Sequence, residues 1–278
     1  MLGSLSTAVS GLEAYQQDME VIGNNIANSN TTAFKGSTVD LGNTFSNTLL
    51  AATSGSGTNT MQVGTGVAID SISNNWSEGT LSNTNNTNDL AISGNGFFTV
   101  RDPNAAGTTD TDYLTQDGAL TVDPSGYLVD SNGFRIQAYG TGANSAKVGD
   151  VQLPPGQNDG TFSVSSTGVI SYYDTSLKQE TTLGQLTLTS VQNPNALVSM
   201  AGNLFTNQGA AGATAGVAGA SGTALASTTI QQGYLETSNV DLSNEMANLI
   251  TAQRGFEANS KIVTASDELL QTVVNMVH

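Results

Sequence analysis

Few residues of this chain are of a type that does chemistry. Cys is absent and the lone His is His278. That excludes a disulfide framework, a thiol nucleophile and a Cys-ligated metal. A Ser–His–Asp triad or a His-based metal centre would depend on a residue at a fraying chain end. Carboxylate pairs for glycoside hydrolysis can be drawn from Glu78, Asp89 and Asp117. That reaction needs two carboxyl groups at a defined separation, and the spacing selects no pair. Gly94-Asn95-Gly96 follows the strand-like Leu90-Ala91-Ile92. A dinucleotide fingerprint needs a third Gly where Thr99 stands and a helix where Phe97-Phe98 continues a strand, so a hairpin turn is expected. Asp102-Pro103-Asn104-Ala105-Ala106-Gly107 faintly matches the start of a calcium loop. Ala106 replaces a ligand and Tyr113 replaces the closing Glu. A polar surface loop is expected, and a weak cation site between Asp102 and Asp112 stays open. Trp76 could be a sugar platform, but a core or interface anchor is favoured. No catalytic, cofactor-binding or metal residue is assigned, no cofactor is expected, and the chain is not read as an enzyme.

The rest of the composition points the same way. The 278 residues include 23 acidic and 7 basic side chains, for a net charge of −16. A surface this negative repels phosphate, which argues against nucleic-acid partners and a polybasic membrane contact. Hydrophobic residues make up 37% and aromatics 6%, with 31 Gly. That profile suits turn-rich β structure in extracellular or assembled proteins. No apolar run reaches the ~20 residues of a membrane span, so no membrane insertion is expected. Met1 to Glu20 lacks a basic n-region, a continuous apolar h-region and a cleavage site, so a secretory signal peptide is not expected.

Three kinds of sequence follow one another. Leu2, Leu5, Val9, Leu12, Met19 and Ile26 follow alternating steps of three and four up to about Asn28, with Gln16 and Gly23 filling the two gaps in the register and Tyr15 and Ile22 widening the stripe. This is an amphipathic helix with a coiled-coil-like spacing. Asn24, Asn25 and Asn28 are expected to stop it and to satisfy backbone groups there. From about Asp241, the column Leu249, Phe256, Val263, Leu270 and Val277 recurs every seven residues. Its companion column contains Gln253, Ser260 and Asp267, so this is no simple dimeric zipper. Ser238-Asn239-Val240-Asp241 is read as a capping box ahead of that helix.

Between the helices the period changes to two. Val63, Val67, Ile69 and Ile72 alternate with small or polar residues, as do Phe162-Ser163-Val164 and Leu186-Thr187-Leu188-Thr189. Asp117-Gly118, Ser125-Gly126, Asn132-Gly133 and Thr167-Gly168 punctuate them as turns. The expected fold is α+β: a central, mostly antiparallel β domain flanked by N- and C-terminal α-helices that pair as a coiled coil. Residues 1–30 with 240–278 form the helical part, 61–205 the β-rich part, and 31–60 with 206–239 an extended connector and flexible loop. The Gly-, Ala-, Ser- and Thr-rich stretches at 51–60 and 207–227 are read as linker. Isolated helices are marginal in water, so the two helices need each other or further copies.

Three long stretches carry a family resemblance. SGLEAYQQDMEVIGNNIANSNTTAFKGSTVDLGNTF, residues 10–45, and GYLETSNVDLSNEMANLITAQRGFEANSKIVTASDELLQTVVNMV, residues 233–277, resemble the axial proteins of the bacterial flagellar rod and hook. Residues 62–100 and 113–139 are similar to the β segment of that family. The resemblance fails at 51–60, 102–112, 140–160 and 207–227. It implies a non-enzymatic subunit of a hollow helical tube that encloses an export channel and transmits torque. The terminal helices would line the inner tube and the β domain would lie outside. Partners implied are further copies in a helical filament, other rod proteins, the hook cap, the hook–filament junction and the type III export machinery. The location implied is the cell-surface flagellum, hook or basal body, reached without signal cleavage. The assembly interface implied is Leu5, Val9, Leu12, Met19, Ile22 and Ile26 against Leu249, Phe256, Val263, Leu270 and Val277. Val21 to Asn28, Asn43-Thr44-Phe45 and Arg135 to Gly140 resemble the hook branch, which is the expected identity. The distal rod is the alternative, because only residues 140–160 stand where hook proteins carry an outer domain. Lys35 and Arg254 are candidates for ion pairs between subunits, worth little where exposed. A β-rich secreted adhesin would place its stalk at one end, whereas here the helices are split between both.

Overall fold

The computed structural model describes residues 2–50, 61–103, 112–140, 148–154, 162–174, 178–207, 209, 211–219 and 224–276. The chain forms two compact units. One comprises Met1–Ser29, Lys35–Asn75 and Val240–His278; the other comprises Asn30–Phe34 and Trp76–Asn239.

The first unit holds both helices, α1 (Leu2–Ala27) and α2 (Leu242–Met276). α1 ends where Asn28 turns its side-chain Nδ2 back to donate to the Asn24 carbonyl, at 3.0 Å. The same carbonyl also accepts from the Asn28 backbone N–H at 3.1 Å, so side chain and main chain close the last turn together. α2 begins one residue after Asp241, whose Oδ1 accepts from the backbone N–H of Ser243 at 2.9 Å and Asn244 at 3.3 Å. The N-cap is therefore Asp241, not Ser238 of the expected capping box. A carboxylate at this place meets two orphan N–H groups and the positive end of the helix together. Asp241→Ala is expected to cost about 1 kcal/mol, seen as a lower melting temperature of the helical signal in circular dichroism.

The same unit contains β1 (Ser37–Asn43), β2 (Ser46–Leu50), β3 (Met61–Gly64) and β4 (Val67–Asn74). β1 pairs antiparallel with β4 and β2 with β3, forming a two-stranded ribbon. At its corner the N–H of Thr44 donates to the Gly66 carbonyl and that of Thr65 to the Phe45 carbonyl, each at 3.0 Å. The alternation of Val63, Val67, Ile69 and Ile72 marks strands, as expected. Their placement in the central β domain is corrected: their partners lie in 37–50, part of the expected connector. A two-stranded ribbon buries little on its own, and Leu41, Val63 and Ile72 remain 40%, 55% and 49% exposed.

The second unit is built on a sheet of thirteen described strands, in antiparallel pairs. Strand Phe97–Arg101 is central, pairing with Asp112–Thr115, Arg135–Gly140 and Leu188–Val191. Its side chains are buried on both faces. Phe98 and Val100 enter the main core with Leu90, Leu128, Ile136, Leu186 and Leu188. Phe97 enters a second cluster with Leu114, Leu197 and Phe205. Thr99, 4% exposed, shares a hydrogen bond of 2.9 Å with the Thr189 hydroxyl, so neither buried hydroxyl is left unsatisfied.

Tandem turns shape one edge of this unit. In Asp123-Pro124-Ser125-Gly126 the Asp123 Oδ1 accepts from the N–H groups of Ser125 and Tyr127, both at 2.8 Å. Asp130-Ser131-Asn132-Gly133 repeats the device, with Asp130 Oδ1 accepting from Asn132 at 2.9 Å and Phe134 at 2.8 Å. Gly126 and Gly133 take φ of +86° and +85°, which L side chains rarely adopt.

Three local expectations are corrected. Gly94-Asn95-Gly96 is a corner and not a hairpin: Leu90–Ser93 pairs with Thr229–Gln232, while Phe97–Arg101 pairs elsewhere. Asp117-Gly118, expected as a turn, is extended chain held against a strand. The N–H of Leu90 donates to the Gly118 carbonyl at 2.9 Å, beside an Asp89–Ala119 bridge. The stretch 207–227 is not simply linker. Ala213–Gly216 pairs with Leu188–Val191, and Ala211, Ala218 and Leu225 are buried. Small residues contribute little apolar area, but a neighbouring strand can still complete their backbone hydrogen bonds. The 51–60 linker and most of the calcium-like loop, 104–111, lie outside the described residues.

Candidate assembly surface

The helical unit is the candidate functional surface, and its geometry starts from small residues. A Cβ at Gly11 would lie 2.6 Å from Asn259 Nδ2, and one at Gly255 would lie 2.5 Å from Tyr15 Cζ. Asn25 Nδ2 reaches Glu245 Oε1 at 3.3 Å. Rising along α1, these contacts fall along α2, so the helices run antiparallel. Ala8, Gly11 and Ala14 are buried on α1, and Ala252 and Ser266 on α2. Small residues at steps of three let two helix backbones approach closely. That pattern is visible in the sequence but is masked by the larger apolar stripe beside it.

The expected interface residues take a flanking position. Ile22 is buried at 5% exposure; Leu5, Leu12, Met19, Ile26, Leu249, Phe256, Val263 and Leu270 are half-buried; Val9 is 40% exposed. Val277 lies outside the described residues. Of the three Asn, Asn25 is 1% exposed and clasps one residue of β1, donating to the Ser37 carbonyl at 2.7 Å and accepting from the Ser37 N–H at 2.9 Å. Asn28 closes the helix, and Asn24 supplies the carbonyl it uses. Lys35 is corrected as an intersubunit candidate, since it is 5% exposed. Arg254 ion-pairs with Glu257 at 3.0 Å on the surface of α2.

Among the described residues, large apolar side chains of this unit stand exposed. On α2, Leu242, Met246, Ile250, Leu269, Val273 and Met276 are each at least 44% exposed, Met276 reaching 81%. On the ribbon, Met61 is 59% and Phe45 90% exposed. Exposed large apolar side chains in such number point to an interaction surface. In the adjoining cleft lie Asp18 and Glu245. Burial holds both carboxyls above the ordinary carboxylate range, and the Asp18 charge adds to the rise at Glu245.

The carboxylates weighed for hydrolysis are taken up by structure. Glu78 accepts from the Gly94 N–H at 3.1 Å, and Asp89 accepts from Thr84 Oγ1 at 2.6 Å and Asn86 Nδ2 at 3.0 Å. Asp117 accepts from the Ala119 N–H at 3.1 Å and Ser131 Oγ at 3.4 Å. Trp76 fits the anchor reading. It meets Phe97 and Phe205 edge to face at 5.6 and 5.1 Å, and its Nε1 donates to Asn195 Oδ1 at 2.8 Å.

Asp117 also sets a pH dependence. Burial pushes its carboxyl above the ordinary range, the N–H of Ala119 opposes this, and the charge of Asp130 adds to it. The folded chain therefore holds this proton more tightly than the unfolded one. The contribution of Asp117 to stability is largest below the unfolded value and is lost as pH rises through the raised folded value. Asp117→Asn is expected to raise the melting temperature at pH 7 by a few degrees and to lose that advantage near pH 4, read by calorimetry.

Comparison with known proteins places these segments in a family. Residues 5–35 match the family model "Flagella basal body rod protein". Residues 91–172 match "Flagellar hook protein FlgE/F/G D1 domain", and 231–276 match "Flagellar basal body rod FlgEFG protein C-terminal". The chain is 36% identical over 279 residues to the flagellar basal-body rod protein FlgG of Buchnera aphidicola subsp. Baizongia pistaciae (strain Bp), covering 98% of each. It is 35% identical to the FlgG of Bacillus subtilis (strain 168), covering 99% of each. The hook protein FlgE of Helicobacter mustelae is 40% identical over 144 residues, which is 50% of this chain and 31% of that protein. With end-to-end relatives and three domain matches in order, the chain belongs to the flagellar rod and hook axial protein family, whose members are structural.

Proposed function

We propose that this protein is a distal rod subunit of the bacterial flagellar basal body. The observation that carries this is coverage. Relatives named as basal-body rod proteins match from end to end, whereas the hook protein matches over 50% of the chain. The hook reading expected from Val21 to Asn28 and Asn43-Thr44-Phe45 gives way to the distal-rod alternative.

In this reading the first unit builds the inner wall of a hollow tube. α1 and α2 pair as a coiled coil, with Leu5, Leu12, Met19, Ile22 and Ile26 against Leu249, Phe256, Val263 and Leu270. The exposed row on α2 meets the helices of neighbouring copies. The β unit lies outside and stiffens the wall. Subunits travel unfolded through the type III export channel without signal cleavage, and the helices gain full stability on assembly. Coupled folding and binding of this kind delays polymerisation until a subunit meets the growing tip. The partners are further copies and the adjoining axial proteins.

Negative-stain electron microscopy of the purified full-length chain, concentrated and salted out, tests the reading. Straight, rigid, hollow tubes are expected. Curved, polymorphic tubes would return the protein to the hook, the reading favoured locally by the 40% identity to a hook protein.

A further inference from the structure

Phe45 is the most exposed large apolar side chain of the described residues, at 90%. It stands at the ribbon corner, where β1 gives way to β2, and its backbone is fixed there by the bond from Thr65. In the same unit lies a groove of about 630 Å3, walled by Gly3, Thr7 and Ala8 of α1, Asn47 and Val63 of the ribbon, and Ile262 of α2. Its size is that of a site for a small organic group, ample for one aromatic ring.

Charge indicates what fills it. The protein carries −16, so two copies repel over most of their surface. Yet no Asp, Glu, Lys or Arg occurs from Met1 to Leu12, and none between Asp40 and Asp70. These neutral stretches supply the knob and most of the groove walls. Copies of this chain meet with least repulsion where one neutral surface faces the other.

We propose that Phe45 of one copy docks in this groove of a second copy. Knob and hole are different surfaces of the same molecule. Repeated head to tail, the contact is heterologous, the type that propagates into an open helical assembly when its rotation does not close. An aromatic side chain filling a neighbour's pocket is the usual form of a binding hot spot. The inference rests on the reading of this chain as a self-assembling subunit.

The test places the photo-cross-linking residue p-benzoylphenylalanine at position 45 of the full-length chain, under the concentration and salt used for microscopy. Mass spectrometry then maps the products. Intermolecular cross-links to 3–8 or 259–262 are expected. Phe45→Ala is expected to raise the concentration needed for assembly at least tenfold, with an unchanged circular dichroism spectrum. Cross-links confined to other surfaces, or a chain that stays monomeric without cross-links, would overturn the docking. Tube shape is read separately. Curved tubes carrying the expected cross-links would overturn the distal-rod assignment alone, and straight tubes without them would overturn the docking alone.

Discussion

Gly118→Ala is expected to lower the melting temperature of the β unit by about 10 °C. A Cβ at Gly118 would collide with the backbone carbonyl oxygen of Leu90. That carbonyl cannot swing aside as a side-chain end can, because Leu90 is fully buried and its own N–H donates to Gly118. Strand Leu90–Ser93 would have to move as a piece, into Thr229–Gln232 on its other side. Overpacking typically costs 1–3 kcal/mol. With backbone as the obstacle and the neighbouring Asp117–Ala119 bond disturbed, about 3–4 kcal/mol is expected. In a domain of this size each kcal/mol moves the midpoint by roughly 2–4 °C. Gly149→Ala is the control, since among the described residues nothing lies within 4 Å of a Cβ there; it should change stability by less than ~0.5 kcal/mol. Calorimetry of the full chain, with hydrogen exchange at the amides of 90–92, distinguishes the two. Equal effects from both glycines would refute the close-approach argument.

The second large effect concerns assembly. The double variant Phe256→Asp, Leu270→Asp is expected to abolish tube formation while the β unit stays folded. Both side chains are half-buried on α2, at steps of seven residues with Leu249 and Val263. Each apolar side chain contributes ~1.5–3 kcal/mol when fully buried, and each Asp adds a charge that must be desolvated in the contact. Two such losses repeat in every subunit of a helical polymer, so a shift of several decades in assembly concentration is expected. Sedimentation and electron microscopy read the polymer, and hydrogen exchange in 97–101 reads the β unit. Unchanged tubes would remove this column from the interface.

The kind of each element was legible in the sequence where the signal is local. Steps of three and four from Leu2 to Ile26, and of seven from Leu249, determined two helices, because a helix returns the same face to a neighbour every 3.6 residues. Alternation determined the strands around Val164 and Leu188 in the same way. Asp123 and Asp130 determined their turns, since an Asp oxygen reaches N–H groups only two to four residues away. The distribution of charge, including the neutral stretches around Phe45, is a property of the sequence alone.

Tertiary structure decided what depends on distant partners. β3 and β4 carry a strand signal, but only pairing with β1 and β2 assigns them to the helical unit. Ala213–Gly216 has almost no apolar signal and becomes a strand because Leu188–Val191 offers it a free edge. Gly118 looks like a turn glycine until the carbonyl of Leu90 is seen against it. The helix contact belongs to Gly11, Gly255 and their small neighbours, because closest approach is set by the smallest side chains, while hydropathy favours the largest. Periodicity encodes which face a residue occupies. What that face meets is fixed only when chain segments far apart in sequence come together.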